Sequence, residues 1–259
     1  MPTIGPNDPN DTIGASRADA AGPGARGATS NARAQSDRRY AYRRLVELRK
    51  QCRACHALTN PSQVAAGSLD SQEIGPYTRW HGDLHARLVV VGKDFAPVPQ
   101  FIEARGRPGL RVRTNLRLRR FLEVAGFQPG SIAAHHDGQG IFMTNSVLCL
   151  PGGESMRTRV RESEVRTCAT TFLGETLGIV RPRVVASLGN HAMRAVMYAY
   201  DVSPSRARVS EARADQGLRL PDGSVLFAMP HPVASKTVAQ HEAAWRRIRC
   251  WLESGGSEA

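Results

Sequence analysis

Four short apolar runs limit what this chain can fold into more than any other feature. They occupy residues 87–92, 140–148, 184–188 and 224–229, and Val, Leu, Ile, Phe and Met dominate them. Runs of that length with little polar alternation read as strands buried on both faces. Between them the period changes. Residues 113–125 space Leu116, Phe121, Leu122 and Ala125 as a helix stopped by Gly126, and residues 160–178 present Val165, Cys168 and Phe172. Further helical segments cover 191–200 and 238–252, the last with Val238, Trp245, Ile248 and Leu252. Pro221-Asp222-Gly223 predicts a hairpin turn feeding the fourth strand. Strands alternating with helices predict an α/β protein, a three-layer α/β/α sandwich around a central, mainly parallel four-stranded sheet.

The flanking sequence differs. Residues 1–38 are rich in Gly, Ala, Ser, Asn, Asp and Pro, and this composition predicts a disordered tail ahead of a domain over 39–259. From Tyr40 a basic helix is expected to run to Cys52–Cys55, and 58–86 reads as a long polar loop. No apolar run reaches the roughly 18–20 residues of a membrane span, and the N-terminus lacks a hydrophobic signal core. Five unevenly spaced cysteines do not make a secreted disulfide framework. The expectation is a cytoplasmic monomer.

Charge narrows the partner. The formal net charge is +12, and all but three of the 35 Lys+Arg residues are arginine. Residues 105–120 hold Arg105, Arg107, Arg111, Arg113, Arg117, Arg119 and Arg120 and no acid. Such a cluster faces solvent or a polyanion. Composition does not choose among DNA, RNA and a nucleotide.

In doubly wound folds the working crevice forms at the carboxyl ends of the strands. Three polar clusters fall there: Gly92-Lys93-Asp94-Phe95, Thr144-Asn145 and His231-Pro232. Asp94 can orient a water or stabilise a developing cation, or simply cap the next helix. The Asn145 amide offers a donor beside an acceptor, which suits a nucleobase edge, or it satisfies loop backbone. His231, held extended by Pro232, can donate to an oxygen gaining charge, or serve as a structural histidine.

Taken in order, these residues resemble the uracil-DNA glycosylase superfamily. The matching motifs are Gly92-Lys93-Asp94-Phe95-Ala96-Pro97, Met143-Thr144-Asn145-Ser146-Val147-Leu148-Cys149 and Met229-Pro230-His231-Pro232, with Leu188-Gly189-Asn190-His191-Ala192 between the last two. Cys52, Cys55, Cys149 and Cys168 are similar in arrangement to the iron–sulfur, family 4-like branch, whose four thiolates hold a [4Fe–4S] cluster; thiolates also suit zinc. The first motif departs from that branch, with Lys93 where its members usually carry Glu, and Asp94-Phe95 after it. The resemblance implies hydrolysis of the bond between uracil, or a related deaminated base, and deoxyribose. It implies Asp94 and His231 as catalytic groups, and Asn145, Gly92 and Phe95 (or Phe101 for stacking) around the base. Arg111, Arg113 and Lys236 would face DNA. A different class of function, a non-catalytic DNA-binding or damage-sensing module on the same fold, remains open at this point.

Overall fold

The buried strands form, and their spacing dictates the rest of the architecture. The computed structural model describes residues 23–109, 112–130, 140–152 and 160–255, with side chains from Arg33 onward. In chain order the elements are α1 (Pro23–Gln51), β1 (Leu58–Thr59), β2 (Leu88–Gly92), α2 (Val98–Glu103), α3 (Arg113–Val124), β3 (Ile141–Asn145) and β4 (Leu150–Pro151). There follow α4 (Glu162–Cys168), a π-helical turn (Ala169–Leu173), α5 (Gly174–Val180), β5 (Val184–Leu188), α6 (Asn190–Ala199), α7 (Arg206–Arg213), β6 (Leu218–Arg219), β7 (Val225–Met229) and α8 (Val238–Glu253). Among the described residues no helix is long and apolar enough to cross a membrane.

The main sheet has the order β3-β2-β5-β7-β6. The first four strands are parallel, as expected, and a fifth strand joins them: the two-residue β6, antiparallel to β7 across the predicted hairpin. Two residues carry too little periodicity to declare a strand in sequence. A separate antiparallel pair, β1 with β4, lies beside the cysteines.

Alternation of side chains along each strand divides the core in two. Val89, Val91, Phe142, Val185 and Leu226 pack with Tyr42, Leu45 and Val46 of α1, Val165 of α4 and Met193 and Val196 of α6. Leu88, Val90, Ile141, Met143, Val184, Ala186 and Phe227 face the other way, onto Leu118, Phe121 and Leu122 of α3 and Trp245 and Ile248 of α8. Period-2 strands buried on both faces need a helical layer on each side. The 58–86 segment has two short helical turns, Pro61–Gly67 and Pro76–Arg79, and buries Ile74 and Trp80 completely.

Internal contacts divide the chain into Met1–Asp37 and Arg38–Ala259. Composition predicted disorder through residue 38, yet the backbone is helical from Pro23. Pro23 stands at the first helical position, where its missing N–H costs nothing, and the Ala, Arg and Gln that follow are good helix formers. Low hydrophobicity argued against a core for this segment; it did not argue against helix. The remainder of the expected tail, residues 1–22, lies outside the described residues.

Helix ends are set locally. Thr237 caps α8, its hydroxyl accepting from the Gln240 N–H while the Gln240 side chain accepts from the Thr237 N–H. Gly189, at φ 86°, makes the sharp turn from β5 into α6 that a residue with a Cβ would resist. On the second face, the Phe121 ring stacks with Trp245 at a centroid separation of 6.3 Å. Trp245→Ala is expected to destabilise the fold by about 3–5 kcal/mol, as truncating a fully buried large aromatic does, measured by denaturant unfolding.

Candidate active site

Sheet register brings the predicted residues together. Gly92 lies directly opposite Asn145 across β2 and β3, Val91 opposite Ser187 across β2 and β5, and Leu188 opposite Met229 across β5 and β7. The carboxyl ends of four strands therefore form a row, and the Asn145, Lys93–Asp94, Asn190–His191 and His231 positions leave it at adjacent points. The loop after β2 is clamped: the Lys93 carbonyl accepts from the Val147 N–H at 3.0 Å and from the Ser146 hydroxyl at 2.5 Å, and the Gly92 carbonyl from the Ser146 N–H at 2.8 Å.

Asn145 is 3 % exposed, and its Oδ1 lies so close over Gly92 that a Cβ there would collide with it. Its Nδ2 is buried without a hydrogen-bond partner. A buried donor left unpaired costs about 1–3 kcal/mol, so this amide is a donor awaiting an acceptor.

Asp94 is 17 % exposed and forms an ion pair with Lys93, whose Nζ lies 3.0 Å from Oδ2. Burial raises its pKa above the ordinary carboxylate range, while Lys93, then His191 and His231, pull it back. His231 stands at the open edge of the crevice. Enough protein surrounds the ring to lower its pKa, the Asp94 charge opposing that effect. The Val233 N–H points at His231 Nδ1 across a long 3.4 Å, which makes Nδ1 the acceptor and leaves Nε2–H to donate. The crevice thus pairs a half-buried carboxylate with an imidazole biased toward its neutral form.

Phe95 and Phe101 are both buried, at 5 % and 4 % exposure. Phe95 follows Asp94 and packs its ring edge against Gly75; Phe101 lies in α2 near Gly106. Two further groups were not assigned roles from sequence. His191, the second residue of α6, faces Asp94 electrostatically and has a buried, unpartnered Nδ1. Tyr77 feels the Asp94 charge and donates to Asn115 Oδ1 at 3.1 Å. His191 sat inside a motif already singled out and was legible. Tyr77 lay in a stretch without periodicity, where nothing marked it.

The basic surface is less bare than its sequence. Carboxylates reach it from two sources: Arg120 pairs with Glu242 of α8, remote in sequence, at 2.6 Å, and Arg119 with Glu123 one turn along α3 at 3.5 Å. Arg117 donates to the Pro232 carbonyl at 3.1 Å, joining α3 to the His231 loop. Arg113 and Lys236 are exposed, and their side chains have no partner among the described residues. Arg111 lies outside the described residues.

The family model described as the uracil DNA glycosylase superfamily matches residues 80–253. The chain belongs to the uracil-DNA glycosylase superfamily. A Type-5 uracil-DNA glycosylase from Pyrobaculum aerophilum is 32 % identical over 162 residues, covering 61 % of this chain and 65 % of that protein. The chain thus spans just under two thirds of that relative's length. Superfamily membership agrees with the α/β fold and with the order of the motifs along the chain.

The four motif cysteines also converge. Cys52 and Cys55 follow α1, Cys149 precedes β4 and Cys168 ends α4, and all four line one pocket with Arg49. Burial, then the neighbouring sulfurs, push the Cys149 thiol up to about 12, and burial raises Cys168 and Cys55 as well. The Leu148 N–H points at Cys168 Sγ at 3.4 Å. Among the described residues no three His, Cys, Asp or Glu side chains are gathered closely enough for one metal ion.

Because the Asp94 charge raises the His231 pKa, Asp94→Asn is expected to move the imidazole midpoint further below its already lowered value. A histidine NMR titration of both proteins reads the shift directly; an unchanged or raised midpoint contradicts the geometry.

Proposed function

We propose that this protein excises uracil, or a closely related deaminated base, from DNA by hydrolysing the N-glycosidic bond in base excision repair. The observation that carries the reading is the buried, unpartnered Nδ2 of Asn145, set beside Gly92 in the same crevice as Asp94 and His231. A base must leave the stack to reach such a pocket, at a cost of a few kcal/mol that is smallest for mispaired bases. Asn145 Nδ2 then donates to the uracil O4. Cytosine presents an amino donor at that position, so donor meets donor and the buried amide stays unpaired. Phe95 supplies an apolar wall for the ring.

Bond cleavage leaves a cationic sugar and an anionic base. His231 donates Nε2–H to the base oxygen that gains charge, which a ring kept neutral does without first losing a proton. The Asp94 carboxylate stabilises the oxocarbenium and orients the attacking water toward it. The partial burial of Asp94 strengthens its effect, since charges interact more strongly away from solvent. Arg113 and Lys236 hold phosphates, and the 233–240 segment, a loop that runs into the first turn of α8, presses on the DNA where the base departs.

The cysteines support a [4Fe–4S] cluster. A single zinc takes four thiolates at about 2.3 Å from one point. These sulfurs line one pocket without being drawn that tightly. Burial raises the Cys55, Cys149 and Cys168 thiols, and such thiols become a stable ligand set only beside a strong positive charge. Cys52, Cys55, Cys149 and Cys168 would hold the cluster. Its contribution is structural, fastening the end of α1 to the segment after Asn145.

Two outcomes test this. On uracil-containing oligonucleotides, alkali should reveal strand scission at uracil; Asp94→Asn should lower the excision rate about 10²–10⁴-fold, the usual worth of a positioned base, while duplex binding persists. Activity should fall on the acid side as Asp94 protonates, at a pH above the roughly 3.9 of an ordinary carboxylate, because its folded-state pKa is raised. Separately, protein purified without oxygen should be brown and contain iron, and Cys149→Ser or Cys168→Ser should lose most iron and melt earlier. Zinc in place of iron contradicts the cluster and leaves the excision reading standing.

A further inference from the structure

We propose that Lys93 gives this protein a second activity, cleavage of the DNA strand at the abasic site through an imine between Lys93 Nζ and C1′ of the sugar. The inference rests on the excision reading for one thing only: the sugar lies against Asp94.

Three observations carry it. Lys93 Nζ lies 3.0 Å from Asp94 Oδ2 and is 30 % exposed, so an amine reaches whatever the carboxylate faces. Its backbone does not wander, since the Lys93 carbonyl is gripped by Ser146 and Val147. The residue type is informative too. This chain uses arginine for all but three of its 35 Lys+Arg positions, and one of the three lysines stands in the crevice. Arginine would supply the same charge with a more rigid set of donors, but a guanidinium does not form imines. Partial burial favours the free amine that attacks carbonyl carbons, and the neighbouring carboxylate is placed to take and return the proton.

The chemistry balances without an added reagent. Hydrolysis of the base leaves a sugar whose ring-opened form carries an aldehyde at C1′. Lys93 passes a proton to Asp94, and its free amine attacks C1′. The carbonyl oxygen becomes a hydroxyl, Asp94 returns the proton to it, and water leaves as the C=N bond of the iminium forms. The Asp94 carboxylate then takes a proton from C2′. The electrons of that C–H bond form the C1′–C2′ double bond of an enamine, which expels the 3′ phosphate as the C3′–O bond breaks. Water hydrolyses the iminium regenerated from the product and frees Lys93.

The test uses the full-length protein with two duplexes, one containing uracil and one containing a pre-formed abasic site, each with and without sodium borohydride. Wild type should nick the abasic duplex without alkali. Borohydride should reduce the imine to a stable protein–DNA adduct, and peptide mass spectrometry should place it on Lys93. Lys93→Arg keeps the cation beside Asp94 but cannot form the imine, so its adduct should fall to background. Absence of any adduct from wild type on the abasic duplex overturns the proposal, as does an adduct that persists in Lys93→Arg or maps elsewhere. Uracil release without an adduct removes the lyase and leaves excision intact; an adduct on the abasic duplex without uracil release does the reverse.

Discussion

Parallel pairing in a fixed register is the constraint on which everything else depends. Each strand of the β3-β2-β5-β7 series is buried on both faces, and a slip of one residue would turn its whole apolar set inside out. With slippage closed off, Gly92 faces Asn145 and Leu188 faces Met229. The crevice is the terminus of that lattice. Groups some 140 residues apart in the chain share it because the sheet core leaves their strands no other alignment.

The lattice also explains what was readable beforehand. Val184–Leu188 and the other three strands announced themselves because unbroken apolar runs closed by Gly or Pro have few alternatives. Asp94, Asn145 and His231 were readable as residues that interrupt such runs where the fold makes its crevice. What escaped notice lacked a period. The two-residue β6 and the eight-residue, mostly polar α7 are held by tertiary contact, and Tyr77 sits in a short turn between irregular segments. Segment 23–38 misled for another reason: its composition reported a missing core, and helix formation does not require one. The acid that partners Arg120 was invisible for the plainest cause. Glu242 belongs to α8, remote in sequence and close in space.

Charge placement separates the two halves of the protein's chemistry. Arg49, 1 % exposed, gives both oxygens of Asp70 a hydrogen bond and two more to the Ser71 and Glu73 carbonyls, beside the cysteine pocket. A buried pair of this kind is retained for what it organises more than for stability, since desolvation offsets most of its attraction. Here it ties the last turn of α1 to the 70–73 segment. The crevice follows the opposite plan. Asp94 keeps one flexible partner, and Asn145 and His191 keep polar atoms unspent, which is costly for folding and useful to an incoming group.

The contact between the Asn145 amide and Gly92 restricts how this site changes over evolutionary time. A side chain of any size at position 92 forces the amide aside, so altered base preference cannot arise by mutating the glycine alone. Shortening residue 145 would make room, but it discards the buried donor proposed to read the base. New specificity therefore needs both positions to move in one step, across a valley where either single mutant is impaired, or it must come from residues farther around the pocket rim.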